Sequence, residues 1–282
     1  MRVAAPGKLV LTGAYAVREG APAIVVAVDR YAIVDVGPPG RVDVRPLYDR
    51  GGQKLGLGSS AAAAVAVLGA GAAVRGEDVR LAPVRAALFR EARAVHDREQ
   101  PGGSGVDIAA SVYGGALRYV VRGGEATVRA VELPAGLVMR AFWSGTSART
   151  SDLLARVDAT RGSGGAGEAL SALGELAVEA ADAIDAGDAV RFVGGAGSFG
   201  RALEHLGREA DAPIVPPAFA ELARVAAQER AAFLPSGAGG GDMGVWLGVA
   251  GPSDAFAGAA ERLGLHPVDL AVDRGGVRVL SS

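Results

Sequence analysis

The sequence predicts an α+β fold, and three observations lead to this class. Strand-like runs such as 32–36 and helix-like runs such as 79–95 are interspersed without strict βαβ alternation. Glycine-rich turns interrupt them at three places. Half of the 282 residues are hydrophobic, so the chain can bury a sizeable core in one large domain or two modest ones.

The charge balance and the rare residue types exclude several classes of function. A net charge of -2 with 21% charged residues gives no support for nucleic-acid or membrane-surface partners. Cysteine is absent, which excludes disulfides, cysteine metal sites and thiol catalysis, and three histidines are few for a histidine-rich metal site. The apolar run after Ser60 ends at Arg75, too soon to span a membrane. With no signal-peptide layout at its start, the chain is expected to be soluble and cytoplasmic.

The first third of the chain begins with strand-like runs. Residues 3–5 and 9–11 are interpreted as two short strands around a tight turn at Pro6 that projects Lys8. Only two of the 29 basic residues are lysine, Lys8 and Lys54, which suggests that a compact ammonium is needed at these positions. Further strands are predicted at 23–28, 32–36 and 42–45.

A glycine-rich turn at 54–58 then leads into an alanine-rich helix. Gly56 and Gly58 let the backbone approach a ligand closely, and Ser59 and Ser60 lie where the helix should begin. Because a helix start has unpaired N–H groups and a partial positive charge, it suits an anion. This stretch alone fits either a phosphate-binding loop or an ordinary loop capped by serine.

The remainder mixes further helices, strands and two more glycine-rich loops. The loops lie at 100–105 and 235–242, and Ser104 is placed to cap a short helix at 106–112. A composition shift at 134–136 precedes a hydroxyl-rich loop at 144–151. Helices are predicted at 79–95, 168–186, 189–206, 217–228 and 253–263, and strands at 116–121, 127–133, 137–143, 245–249, 268–272 and 277–280.

Together the three glycine-rich stretches offer the parts of a phosphoryl-transfer site. Lys8 supplies a positive charge, and the turn before Ser60 supplies N–H groups and hydroxyls. Asp107 follows the second loop and supplies a carboxylate, while hydroxyls help to hold Mg²⁺. Each residue also has an ordinary structural explanation: Lys8 as an exposed turn residue, Asp107 as a first-turn helix carboxylate, and Asp242 as a partner of nearby backbone N–H groups.

The order of these motifs resembles the GHMP kinases, a family named for galacto-, homoserine, mevalonate and phosphomevalonate kinases. Residues 5–13, 56–62 and 236–242 look like its three motifs, and 103–107 looks like its catalytic-aspartate segment. Within the family, the loop at 143–150 and the ending at Asp242 are most similar to the phosphomevalonate kinase branch. His96 falls where mevalonate kinases have a magnesium-binding glutamate, and at the end of an amphipathic helix it is interpreted as structural.

The resemblance implies a two-domain fold with the active site between the domains. Residues 1–136 would form an N-terminal domain like ribosomal protein S5 domain 2, and 137–282 a ferredoxin-like C-terminal domain. It also implies ATP and Mg²⁺ as cofactors, with Lys8 and Asp107 catalytic. The cofactor-binding residues would be Gly56, Leu57, Gly58, Ser59, Ser60 and Ala61, with Ser60 also a metal ligand. The substrate-binding residues would be Ser104, Gly105, Ser144, Thr146, Ser147, Arg149, Gly239, Gly240 and Asp242.

Two features depart from the family pattern. Ala14 stands where the first motif usually has a glutamate, and only 24 residues separate Tyr31 from Gly56, a segment that is longer in the family and often helps to hold the nucleotide base. The expected activity is phosphoryl transfer from ATP to phosphomevalonate. Mevalonate kinase, a lyase related to diphosphomevalonate decarboxylase and a non-catalytic binding protein remain alternatives. The sequence does not reveal the oligomeric state, and a homodimer is one possibility.

Overall fold

The computed structural model describes residues 1–38, 40–99, 102–146, 150–162 and 164–280. This part contains ten strands and eight α-helices, which confirms the α+β class. No helix in these ranges is long and apolar enough to cross a membrane. The strands are β1 (Arg2–Thr12), β2 (Ala23–Asp35), β3 (Arg41–Asp43), β4 (Ala116–Arg122), β5 (Glu125–Val131), β6 (Val138–Trp143), β7 (Ala232–Pro235), β8 (Met243–Gly248), β9 (His266–Val268) and β10 (Arg278–Leu280). The helices are α1 (Ser59–Val74), α2 (Ala82–Glu99), α3 (Val106–Tyr113), α4 (Thr150–Thr160), α5 (Gly164–Asp185), α6 (Ala189–Glu209), α7 (Pro217–Gln228) and α8 (Asp254–Arg262).

The strands form two sheets, and the chain divides into two compact units. One sheet has the order β10-β1-β2-β4-β5 with β3 paired to β2, and the other has the order β7-β8-β6-β9. The first unit comprises Met1–Leu9, Val25–Leu117 and Leu270–Ser282, and the second comprises Val10–Ile24 and Arg118–Asp269. Both units are discontinuous in sequence. The domain boundary expected at residue 136 remains a prediction.

The predicted turn at Pro6 is wrong, because β1 runs without a break from Arg2 to Thr12. The Pro6 carbonyl accepts a hydrogen bond from the buried Ser111 Oγ at 2.7 Å. A Cβ on Gly7 would lie 2.7 Å from the Leu57 carbonyl oxygen, so this glycine marks a close approach of two backbone segments. Contacts with distant residues therefore override the local turn signal.

Strand β2 likewise joins two runs that the sequence separates. The polar residues between them begin with Asp29, whose N–H donates to the Ala271 carbonyl at 3.0 Å. The Asp29 carboxylate in turn accepts from the Ala271 N–H at 2.8 Å. These two bonds keep the polar segment extended, so the chain does not turn there.

In the first unit, α1 packs against both α2 and α3. It is built almost entirely of small or β-branched apolar residues, which lets neighbouring elements approach closely. A Cβ on Gly69 would lie 2.8 Å from Val277 Cγ2 and 3.3 Å from Val3 Cγ1. The missing side chain at Gly69 therefore sets how closely α1 packs against Val3 of β1 and against Val277, which leads into β10.

In the second unit, α5 and α6 pack along each other, and the four-stranded sheet carries an aromatic core. The Trp246 and Phe256 rings meet nearly edge to face, with centroids 4.5 Å apart at 65°. Phe142 contacts Phe256 in the same manner, with centroids 5.4 Å apart. Such tilted pairs add to the gain from burying large rings, so this cluster is a main source of the unit's stability.

We expect Gly69→Ala to lower the free energy of unfolding by about 1–3 kcal/mol, because the new methyl group overpacks the contact with Val277. Gly71 lies on the same helix, and the nearest atom to a Cβ there is the mobile end of Arg75 at 3.5 Å. Gly71→Ala should therefore stabilise the protein by up to about 1 kcal/mol. Urea denaturation of both variants is the measurement, and equal effects would contradict the close packing at Gly69.

Candidate active site

The start of α1 is formed by a loop whose glycines adopt conformations that other residues resist. Gly56 and Gly58 have φ values of 74° and 76°. Gly58 is the N-cap, and no side chain caps the helix. Because Ser59 and Ser60 are already the first two helical residues, their N–H groups lack partners within the helix. The serine-capped-loop alternative is therefore wrong, and the arrangement leaves a helix start that suits an anion.

Lys8 lies on β1 and is tied to this loop by its backbone and its side chain. The Lys8 N–H donates to the Leu57 carbonyl at 2.9 Å. The Lys8 ammonium donates to the Gly56 carbonyl at 3.0 Å. These bonds hold a positive charge beside the uncapped helix start, where it adds to the attraction for phosphate.

Asp107 lies in the first turn of α3, after the N-cap Gly105, whose φ is 78°. Its Oδ1 accepts a hydrogen bond from the Ile108 N–H at 2.9 Å. The Ser104 hydroxyl accepts a long hydrogen bond of 3.4 Å from the Val106 N–H, so Ser104 and Gly105 shape the entry to this helix. The carboxylate is thus anchored on one side by its own helix.

Gly58 is the point at which these elements meet. A Cβ there would lie 3.3 Å from Lys8 Cγ and 3.5 Å from Asp107 Cβ. The structure therefore brings together Lys8, the loop before α1 and Asp107, as the sequence predicts. The residues involved carry a cation, uncapped N–H groups, hydroxyls and a carboxylate, which are the groups needed to bind and transfer a phosphoryl group.

His96 on α2 also faces Asp107, which sequence reasoning missed. Its Nε2 lies 3.8 Å from Asp107 Oδ2, and the residue is 5% exposed. Ten residues separate the two in the chain, and no single helix carries both, because α2 ends at Glu99 and α3 begins at Val106. Only the packing of α2 against α3 brings the imidazole to the carboxylate.

In the second unit, the hydroxyl-rich loop and the third glycine-rich loop are joined by their backbones. The Asp242 N–H donates to the Thr146 carbonyl at 2.9 Å, and the Ser144 N–H donates to the Asp242 carbonyl at 3.0 Å. The Ser144 and Thr146 hydroxyls lie 3.0 Å apart. A Cβ on Gly241 would lie 2.6 Å from Thr146 Oγ1, so glycine is required for this pairing. Ser144, Thr146 and Asp242 therefore form one cluster.

The glycine-rich loop is also anchored to neighbouring segments. Gly240 N–H donates to the Ile214 carbonyl at 2.8 Å, and a Cβ on Gly239 would overlap that same oxygen at 2.0 Å. The Tyr15 hydroxyl donates to the Ala238 carbonyl at 2.6 Å. Burial raises the pKa of Tyr15 well above its usual value, which keeps this hydroxyl a donor. The loop is thus held at several points.

Several predicted residues do not join these clusters. Ser147 and Arg149 lie outside the described residues. Lys54 is exposed, and its backbone forms an isolated bridge with Tyr48. Ala14, at the position of the missing family glutamate, is buried. By contrast, the Trp143 indole nitrogen next to Ser144 is buried and has no partner among the described residues, which identifies one donor that the sequence did not single out.

The described residues contain no group of three or more acidic or histidine side chains arranged to hold a metal ion. Mg²⁺ typically binds through substrate phosphates, waters and only one or two protein ligands. The Ser60 hydroxyl at the start of α1, beside a loop suited to phosphate, fits this manner of binding. The residues present are therefore compatible with Mg²⁺ that arrives with a nucleotide.

These features are those of a class of protein, the phosphoryl-transfer enzymes, with a helix start suited to phosphate. Residues 37–115 match the family model for the GHMP kinases N terminal domain. These residues therefore form a GHMP kinase N-terminal domain, and this match together with the similarity to a curated kinase supports an ATP-dependent small-molecule kinase. The resemblance inferred from the motifs is confirmed.

Three relatives illustrate the similarity. The chain is 28% identical to a phosphomevalonate kinase from Streptomyces sp. (strain CL190) over 334 aligned positions, covering 86% of this chain and 88% of the relative. Its fold matches the Lin0012 protein from Listeria innocua, with a TM-score of 0.85, 23% identity and coverage of 100% and 99% of the two chains. It also matches a Streptococcus pneumoniae phosphomevalonate kinase in complex with phosphomevalonate and AMPPNP, with a TM-score of 0.82, 18% identity and coverage of 96% and 99%. The structural matches confirm the GHMP kinase fold.

We expect Gly58→Ala to reduce turnover by at least about tenfold, since a methyl group would crowd the Lys8 side chain, and displacement of a functional group by about 1 Å can cost on the order of 100-fold. Gly52→Ala is the matched control, because Gly52 has a similar φ of 81° with no atom near its Cβ position. Both changes should cost about 1–2 kcal/mol of stability through backbone strain.

Steady-state kinetics and urea denaturation of the two variants separate these effects. If Gly52→Ala slows turnover as much as Gly58→Ala, backbone strain accounts for the loss and the close approach at Gly58 does not.

Proposed function

We propose that this kinase transfers the γ-phosphoryl group of ATP to the 5-phosphate of phosphomevalonate, giving ADP and diphosphomevalonate. The observation that best supports phosphoryl transfer is the close approach of both Lys8 and Asp107 to Gly58. The choice of acceptor draws support from the sequence similarity to a phosphomevalonate kinase. The product would enter the mevalonate pathway of isoprenoid biosynthesis, and we place the enzyme in the cytoplasm.

For the nucleotide, we assign the phosphate contacts to residues 56–61. The N–H groups at the start of α1 have no side-chain cap and are therefore available to an anion. Ser60 would be a ligand of Mg²⁺, which when bound neutralises charge on the ATP phosphates.

The reaction itself needs little covalent chemistry from the protein. An oxygen of the acceptor phosphate attacks the γ-phosphorus, a new P–O bond forms, and the bond to the β-phosphate oxygen breaks to release ADP. Asp107 would orient the attacking phosphate and accept its proton where one is present. Lys8 would neutralise charge that builds up on the transferred group. Because a phosphate oxygen is already a fair nucleophile, orientation and charge outweigh deprotonation.

For the acceptor, we assign a separate set of hydroxyl and N–H donors. Ser144 and Thr146 present two adjacent hydroxyls, and the indole N–H of Trp143, the residue before Ser144 in the chain, is a buried donor without a partner among the described residues. A substrate that carries a phosphate before the reaction needs several donors of this kind. The full set assigned to the acceptor is Ser104, Gly105, Ser144, Thr146, Ser147, Arg149, Gly239, Gly240 and Asp242.

The acceptor is tested by measuring ADP release with mevalonate, phosphomevalonate, homoserine and galactose in turn. We expect the highest kcat/KM with phosphomevalonate, because its phosphate would engage donors that the other acceptors leave unpaired. Preference for mevalonate would identify a mevalonate kinase instead. Release of CO₂ together with ADP would identify a lyase, and calorimetry that detects no ATP binding would indicate a non-catalytic protein.

We expect Asp107→Asn to lower kcat roughly 100- to 10,000-fold while the affinity for ATP changes little, since the variant loses the carboxylate but keeps the shape. Asp254 is the matched control, because it is an exposed carboxylate in the first turn of α8. Asp254→Asn should leave turnover unchanged and cost at most about 1 kcal/mol of stability. If Asp107→Asn behaves like the control, Asp107 is only a helix-start carboxylate.

A further inference from the structure

The imidazole of His96 is a buried polar group whose surroundings call for an explanation. Although His96 is only 5% exposed, its Nδ1 is buried and has no hydrogen-bond partner among the described residues. Buried polar atoms are usually paired, because an unpaired one loses its hydration without compensation. Its other nitrogen, Nε2, lies 3.8 Å from Asp107 Oδ2. The ring therefore faces the proposed catalytic carboxylate with Nε2, while Nδ1 is buried without a partner among the described residues.

The geometry around Asp107 shows what this contact would achieve. Oδ1 is fixed by the Ile108 N–H at 2.9 Å, so rotation of the carboxylate is restrained from one side only. Oδ2 faces His96, and a donor there would fix the second oxygen. A distance of 3.8 Å is longer than a hydrogen bond, but such contacts often tighten when a substrate binds.

We infer that His96 is a positioning residue for Asp107, with its proton on Nε2 donated to Oδ2 and a bare lone pair on Nδ1. A neutral imidazole carries one N–H and one acceptor nitrogen, and the partner of one nitrogen decides which is which. Since Asp107 accepts and Nδ1 has no partner in the part of the chain that the structure describes, the proton belongs on Nε2. The carboxylate is then held from α2 as well as from α3. This inference rests on the proposed role of Asp107.

Three substitutions at His96 test which nitrogen matters. The side-chain amide of Gln reaches about as far from the backbone as Nε2, whereas that of Asn reaches about as far as Nδ1. We expect His96→Asn and His96→Ala to lower kcat roughly 10- to 100-fold, the usual loss when the partner that orients a functional group is removed. The KM values should change much less, because binding of the substrates is retained. His96→Gln should restore most of the turnover.

His205 provides a matched control on α6. Its Nδ1 lies 3.9 Å from Glu209 Oε1, a similar distance, but its side chain is 49% exposed. The same three substitutions at His205 should leave kcat and KM unchanged. Two outcomes would show that His96 does not position Asp107. In one, His96→Gln and His96→Asn lower kcat equally; in the other, the substitutions raise KM and leave kcat unchanged.

A readout that does not need turnover separates this inference from the proposed function. The chain has three histidines, so the ring nitrogens of ¹⁵N-histidine-labelled protein give few NMR signals. We expect His96 to carry its proton on Nε2, and Asp107→Asn to shift the His96 signals while those of His205 and His266 stay in place. A proton on Nδ1, or His96 signals that ignore Asp107→Asn, would overturn the inference. If no acceptor is phosphorylated but the shift is seen, only the proposed function fails.

Discussion

The backbone contact between β1 and the loop before α1 is the constraint on which the rest of the first unit's site depends. Lys8 donates to the carbonyls of Leu57 and Gly56, through its N–H and its ammonium respectively. Because the loop is held in this register, Gly58 can take its left-handed conformation as the N-cap of α1. The same contact thus fixes the cation, the helix start and the glycine against which Asp107 packs.

Local signals predicted much of the fold but failed where distant contacts decide the conformation. The apolar run after Ser60 and the helical spacing of 79–95 predicted α1 and α2 because both signals lie within single elements. The strand through Pro6 could not be predicted in this way, since it depends on Ser111 and Leu57. The short strand β7 was also missed, because its four residues are all buried and show no alternation.

The candidate site was predicted through ordered motifs, and its finer contacts were not. The resemblance placed Lys8 and Asp107 in one site although no spacing connects them. It did not reveal that His96 faces Asp107, because this depends on how α2 packs against α3. In the second unit, the hydroxyls of Ser144 and Thr146 were recognised by type, but their shared cluster with Asp242 follows from backbone bonds that no composition encodes.

The paired loops of the second unit have a consequence for how that region opens. Two backbone hydrogen bonds join Asp242 to Ser144 and Thr146, so neither loop can leave its place without breaking bonds to the other. Local opening of a folded protein occurs in cooperative segments, and these loops belong to one such segment although nearly a hundred residues separate them in the chain. A molecule that binds the hydroxyls of Ser144 and Thr146 would therefore also slow hydrogen exchange of the backbone amides in the glycine-rich loop. The effect would pass directly through the two backbone hydrogen bonds.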